Sequence, residues 1–394
     1  MRTIALSMAL LLALTAQGWG QDEGFDLEQD YWFNVLYPKA FFTVTEGLSI
    51  GGHLAYIQPV RFRDFENPPP YRASLSFDGQ ISTSGSRFLK FDARAPGLSN
   101  GWRFSAQLLA RRRAKDNYFG IGNATVREPD SITDAQPNFY RAIRNRYAAR
   151  GEVQRTIVGP LRVLAGFNLE RWRIGPPEGP SAIATDLANG GDPTIGVGTN
   201  DFSLRFGLIF DTRNDEVAPE RGVHVQAIVG IADADVAGDV TYTRTTVSAS
   251  AFLTATPRLQ FAARVVGQAM SGTPPFGTYY LIDGGDHFYN SLGGSSSHRA
   301  LINNRFLGRD KLFTNIEVRY TIFAIPTLYR VSVLAFFDAG RVFQAQGFRL
   351  TTEDFKAGGG SGLFVQLGRA GIAGVTLGVG PDGAIPEFHA RWTF

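Results

Sequence analysis

Few side chains in this sequence are equipped for catalysis. His53, His224, His287, His298 and His389 are the only five histidines, and cysteine is absent. Disulfides, thiolate nucleophiles and thiolate metal sites are therefore excluded. His287 and His298 share a polar stretch with Asp283, Asp286 and Ser295 to Ser297. A hydrolase needs a nucleophile and a base at recognisable spacing, and none stands out there. A metal centre built on Asp286, His287 and His298 lacks diagnostic ligand spacing. The motif NYFGIGN, with Gly120 and Gly122, is not followed by the helix that a phosphate loop requires. No catalytic residue, metal ligand or cofactor is assigned, and the chain is not read as an enzyme.

Charged side chains at strand-like spacing are more informative. Arg299 stands in the polar, glycine-rich stretch LGGSSSHRALINNRFLGRD, and two alternating runs follow it. In the first, Leu312, Thr314, Ile316, Val318, Tyr320 and Ile322 share one face, while Asn315, Glu317 and Arg319 share the other. In the second, Asp338 lies on a face with Ser332, Leu334, Phe336 and Gly340. Strands that are apolar outward with a carboxylate on the other side fit a membrane β-barrel wall around a polar lumen. In a soluble core such a carboxylate would need full pairing.

The elements that would position these groups fit the same class. Forty-five glycines, 31 phenylalanines and a 12% aromatic share suit aromatic walls joined by glycine-rich turns. The formal charge of +3 is small for 394 residues, and the arginines are scattered, so no nucleic-acid patch is read. Residues 1–20 read as a secretory signal, with Arg2 before an apolar run. Residues 21–36 are expected to be a short periplasmic segment, and 37–394 the barrel. No later stretch is long and apolar enough for a helical span.

Sixteen strands are expected, the even count of a closed single-chain barrel. They fall near 40–46, 49–59, 71–83, 85–95, from 101, 140–157, 161–174, 201–212, 221–233, 241–256, 258–270, 312–323, 329–341, 355–366, 371–379 and 386–394. Long connections at 114–139, 175–200, 271–311 and 342–354 follow odd-numbered strands, as one loop-bearing end requires. The proline segment RFRDFENPPP after the second strand is the exception. In Glu387–Phe394, strict alternation puts Phe388, Ala390, Trp392 and Phe394 on one face, a C-terminal strand closing the sheet. Trp102, Trp172 and Trp392, near strand ends, read as interfacial-belt residues or as ordinary wall contacts.

Four features carry a resemblance to a known family. They are Asp211-Thr212-Arg213 with Pro219, Arg221 and Gly222; Leu292-Gly293-Gly294 followed by Arg299; Glu317 with Arg319; and Phe337-Asp338-Ala339-Gly340. With the terminal Phe394, this set resembles the BamA/TamA-type outer-membrane barrel, the bacterial surface antigen family. The likeness is strongest from about 201 to 394. It implies an all-β transmembrane antiparallel barrel whose long loop between the eleventh and twelfth strands enters the lumen. Carried over, Arg299 is the tip arginine, and Glu317 and Asp338 are its wall partners.

Physically, a guanidinium fork suits two carboxylates, and such a lock would offset the ordering entropy of a long loop. The alternative reading leaves Arg299 solvated, with the carboxylates paired to Arg319 or Arg341. The tip departs from the family pattern: His298, Ala300 and Leu301 flank Arg299, so the usual glycine and aromatic are missing, and Ala300 enters a left-handed backbone less freely than glycine. Gly293 and Gly294 form the loop base. Asp211, Arg213, Pro219, Arg221 and Gly222 are read as bracing a periplasmic turn.

The chain as given leaves no room for the family's periplasmic POTRA modules. The resemblance implies a Gram-negative outer-membrane location, outer-membrane lipid as surroundings, and the outer-membrane assembly machinery as a partner in biogenesis. An unidentified periplasmic protein partner is left open. The leading functional reading is a barrel assisting insertion or translocation of polypeptide or lipid, through a gated lumen or lateral seam. The alternatives are a passive anion-favouring pore and a structural surface barrel.

Overall fold

The computed structural model describes residues 31–394 except 44–45, 62–67, 286–287, 326–327, 345–346 and 370. The expected signal segment 1–20 lies outside the described residues. The strands in chain order are β1 (Phe33–Thr43), β2 (Gly47–Pro59), β3 (Tyr71–Ser82), β4 (Arg87–Ser99), β5 (Trp102–Asn117) and β6 (Arg141–Val158). They continue with β7 (Leu161–Gly175), β8 (Gly198–Asp211), β9 (Gly222–Ala232), β10 (Tyr242–Thr256) and β11 (Leu259–Gly272). Two short strands, β12 (Leu281–Ile282) and β13 (Tyr289–Asn290), belong to the long connection. The wall resumes with β14 (Asp310–Ile325), β15 (Tyr329–Phe343), β16 (Lys356–Leu367), β17 (Gly371–Gly380) and β18 (Gly383–His389).

Every neighbouring pair of wall strands is antiparallel, and together they make one 16-stranded sheet. The strand count matches the sequence expectation, but closure does not. The order runs from β1 to β18 with no ladder between them among the described residues, so the expected closed transmembrane barrel is corrected to an open sheet. The cause lies at the chain end. The strand expected to run to Phe394 stops at His389, because residues 390–394 leave the sheet and turn onto its polar face. At the other end β1 begins at Phe33, within the segment expected to precede the wall.

Burial on this sheet is inverted relative to a soluble protein. On β8, Leu204, Phe206, Leu208 and Phe210 are exposed, while Ser203 and Arg205 on the other face are buried. On β14, Ile316, Val318 and Tyr320 are exposed and Asn315, Glu317 and Arg319 are buried. Water would disfavour that outward apolar surface, whereas hydrocarbon would not. Among the described residues no helix is long and apolar enough to cross a membrane, which says nothing of strands.

The sheet curls strongly enough for distant connections to meet. At the short-turn end, Arg369 beyond β16 donates to Asp215 beyond β8 (2.8 Å) and to the Pro68 carbonyl (3.1 Å). At the long-loop end, the Asn123 side chain donates to the Asp354 carbonyl (2.9 Å) and accepts from the Val342 amide (3.2 Å). NYFGIGN packs inward there, with Tyr118 fully buried beside Phe276 and Tyr280. The 175–200 connection, read from sequence as loop, contains α1 (Ala182–Ala188), capped by Ser181. Seven residues are too few to show a helical period. Of the tryptophans near strand ends, Trp102 faces outward, whereas Trp172 and Trp392 are buried inside.

Candidate functional site

The long connection 273–309 runs along the polar face of the sheet and is held at two charge clusters. At the first, Arg299 meets two neighbouring strands. Its Nε and Nη2 donate to the two carboxylate oxygens of Asp338 on β15, at 2.9 and 2.7 Å, and its own amide donates to Asp338 at 2.8 Å. Its Nη1 donates to Glu317 on β14 and to Thr393 Oγ1 (3.2 Å). Arg319 completes Glu317 from the other side at 2.7 Å. Asn315 donates to Asp338 (2.7 Å) and to the Ser297 carbonyl (2.7 Å).

The register explains why this works. Asn315 pairs with Asp338 across the β14–β15 ladder, and Glu317 with Phe336, so all four side chains point the same way. The guanidinium also lies 4.0 Å from the Phe336 ring centroid. Arg299, Glu317 and Asp338 are fully buried. Burial opposes the charge on Arg299, but Glu317 and Asp338 outweigh it and hold the guanidinium above its ordinary pKa. Removing one member of such a set leaves uncompensated buried charge.

The tip of the loop is accommodated by absent side chains. A Cβ at Gly378 would lie 2.5 Å from the Arg299 carbonyl, and one at Gly380 2.5 Å from the Ala300 carbonyl. Gly378 and Gly380 on β17, with Gly358 on β16, thus leave a slot for the Arg299–Ala300 backbone. Ala300 and Leu301 are fully buried. Outside glycine, positive φ occurs among the described residues only at Asn304 and Asp354, so Ala300 does not adopt the left-handed backbone of a glycine tip. His298 is buried, with Nε2 3.0 Å from the Lys356 carbonyl, and burial pushes its pKa down. At the loop base Gly293 holds φ +121°, and a Cβ there would meet the Ile302 carbonyl at 2.1 Å. The Gly294 amide donates to the carbonyls of His298 and Leu301 (3.1 Å each), closing the turn that aims Arg299.

The second cluster was not singled out by sequence reasoning. Asp283 accepts from Arg205 Nε (3.1 Å) and Nη2 (2.9 Å) on β8 and from Arg244 (3.2 Å) on β10. Arg150 on β6 stands 3.9 Å away and donates to the Gly284 (2.6 Å) and Gly285 (2.5 Å) carbonyls. Glu152 bridges Arg205 (2.6 Å) and Arg150 (3.1 Å). Phe288 covers Arg146, Arg150 and Arg244 with its ring. Burial works against the Asp283 charge, but Arg205, Arg244 and Arg150 outweigh it and hold the carboxyl below its ordinary range. The available signal was the run of inward arginines on alternating positions, which sequence alone could not connect to one loop aspartate.

The remaining expected site residues fall elsewhere. Asp211 accepts from the Arg213 amide (3.2 Å) and side chain (2.9 Å) and from Arg162 (3.1 Å) at the short-turn end. Pro219 is buried, Arg221 is exposed, and a Cβ on Gly222 would meet the Thr212 carbonyl at 2.3 Å. Phe388 faces outward, but Trp392 stacks on Phe364 at 4.4 Å inside. Phe394 lies beside Phe252 and Arg264, so the expected common face of Phe388, Trp392 and Phe394 does not form. Asp286 and His287 lie outside the described residues. Among the described residues, no group of three or more His, Cys, Asp or Glu side chains could hold a metal ion.

Comparison with known proteins agrees with this architecture. The sequence model of the Omp85 superfamily domain matches residues 72–375. The chain is similar in structure to BamA from Haemophilus ducreyi lacking POTRA domains 1–3, at 13% identity and a TM-score of 0.57, over 90% of this chain and 69% of that one. It is also similar to CdiB from Escherichia coli, at 13% identity and a TM-score of 0.57, over 90% of this chain and 60% of that one. Likeness at this identity speaks to the fold alone. No curated protein matches the chain.

Proposed function

We propose that this chain, which belongs to the Omp85 superfamily, assists the insertion or passage of polypeptide at the outer membrane through the gap between β1 and β18. The superfamily is associated generally with outer-membrane protein biogenesis. Membership in it supports an outer-membrane location and a non-enzymatic role for the chain. Within it, the Arg299, Glu317 and Asp338 set argues for a BamA/TamA-like member. Residues 1–20 would serve as its export signal, lipid would cover the apolar face, and the assembly machinery would insert it.

One observation carries the reading: the outer edges of β1 and β18 have no ladder partner among the described residues, while the polar face of the sheet is filled by an anchored loop. An unpaired edge offers a row of amides and carbonyls to an incoming strand. In hydrocarbon such an edge is costly, so a client strand that pairs with it is stabilised. The filled interior argues against a passive pore.

The absence of cysteine makes the test clean. A single cysteine introduced at Leu36 or Leu48 would report contact with a cysteine-bearing client strand during assembly in liposomes. The reading expects a disulfide adduct at Leu36→Cys, on the edge strand, together with faster client folding than in empty liposomes. Client folding at the empty-liposome rate, or adducts that do not depend on cysteine position, would contradict it.

A further inference from the structure

The outward face carries a polar feature that the proposed activity does not use. On β4 to β7, at the long-loop end, Arg87, Arg112, Arg171 and Arg173 all point outward and are exposed. The ladders set them side by side: Arg87 pairs with Arg112, Arg112 with Asn145, and Asn145 with Arg173. Arg171 stands one outward position along β7 and donates to Asn200 (3.3 Å), as Arg112 does to Asn145 (3.4 Å). Asp239 accepts from Asn200 at 3.1 Å and marks one end of the row.

The contrast with the inward arginines is chemical. Arg144 pairs with Asp116 at 2.5 Å and Arg146 with Glu170 at 2.6 Å, in the same strands. None of the four outward arginines has a carboxylate within ion-pair distance among the described residues. Directly beside them the apolar wall is concave. Ala110 and Ala149 lie between Phe91 and Leu108 on one flank and Tyr147 and Leu169 on the other, leaving a groove of about 540 Å³ that reaches Arg171.

We infer that this face is a binding site for a lipid carrying more than one phosphate, its headgroup on Arg87, Arg112, Arg171 and Arg173 and an acyl chain in the groove. Charge complementarity selects the occupant. Unpaired guanidiniums at the rim of an apolar belt sit at headgroup depth with their stems along the chains. Their donor forks fit phosphate oxygens. Adjacent strands about 4.8 Å apart spread the row over roughly 14 Å, which one phosphate cannot span and a bisphosphorylated sugar headgroup can. The inference rests on the sheet standing in the outer membrane, and not on any role in polypeptide insertion.

The test uses the purified, delipidated full chain and native mass spectrometry, with bisphosphorylated lipid A, its dephosphorylated form and phosphatidylcholine as probes. The wild type should retain the bisphosphorylated lipid at least tenfold more tightly than either other probe. The combined R112Q, R171Q and R173Q variant should lose that preference while keeping its strand signal in circular dichroism. Ala149→Trp should weaken all three lipids alike. Because the variants can misfold, salt supplies a second reading on wild type alone. Raising it from about 50 to about 500 mM should erode only the preference for the phosphorylated lipid. Equal retention of phosphorylated and dephosphorylated lipid by the wild type, or a preference unchanged in the triple variant, would overturn the site.

Discussion

The two anchors of the interior loop reverse each other's charge. At Arg299 the loop supplies one cation to two wall carboxylates on adjacent strands, β14 and β15. At Asp283 it supplies one anion to arginines on β6, β8 and β10. The first anchor has little redundancy on the loop side, because among the described residues Asp338 takes its charged partner from Arg299 alone. The second is partly redundant, since Glu152 serves both Arg205 and Arg150 when Asp283 is set aside, although Arg244 then loses its carboxylate. The first also touches the chain end through Thr393, close to where the sheet stops pairing. Charge alone therefore does not rank these clusters. What ranks them is how much of each cluster's bonding survives loss of the loop residue, and more survives around Glu152 than around Asp338.

That difference orders the expected mutational effects. Arg299→Ala leaves Asp338 buried without its cation and should lower stability by about 3–5 kcal/mol, read from denaturant or heat-modifiable gel mobility. Asp283→Ala should cost about 1.5–3 kcal/mol by the same readout, because Glu152 and the glycine carbonyls still engage Arg205 and Arg150, and Arg244 loses its carboxylate. If the two costs came out equal or in reverse order, the argument from redundancy would fail.

Gly378→Val tests the slot instead of the charges. With the Arg299 carbonyl 2.5 Å from a Cβ, overpacking should cost about 1–3 kcal/mol and raise protease cleavage within 295–305. An unchanged cleavage rate would show that the slot does not hold the tip.

Acid separates the anchors by another route. The Asp283 carboxyl is held below its ordinary value, so its contribution is fully present above the unfolded pKa of about 4 and is lost as pH falls through the folded value. Stability should therefore decline below about pH 4, and Asp283→Asn should flatten that acid limb. An acid limb of the same slope in Asp283→Asn would assign the decline to other carboxylates. The smallest effect is expected at Thr393→Val, about 1 kcal/mol, since Arg299 keeps both carboxylates.

Much of the wall was legible in the sequence because a strand declares itself by alternation. Glu317 and Asp338 stood among apolar neighbours of opposite parity, so period-two geometry put them on the polar face, whereas their pairing with Arg299 was implied only by the family resemblance. Asp283 was seen only as one acid in a polar loop. Its partners run from Arg244, 39 residues away, to Arg150 on a still more distant strand, and no local pattern encodes that convergence. The chain end misled for a different reason. Alternation over Glu387–Phe394 is a sound strand signal, yet Trp392 gains a stacked Phe364 and Arg319 at 4.2 Å by turning inward. Tertiary contacts outweighed the local period there, and the sheet was left open.

Single-channel conductance in a planar bilayer tests the central claim, that a loop anchored at two clusters fills the interior, most directly. Wild type should be nearly silent, with noisy openings in Arg299→Ala and Asp338→Ala and fewer in Asp283→Ala. Large, steady conductance in the wild type would contradict the filled interior and return the chain to the class of passive pores.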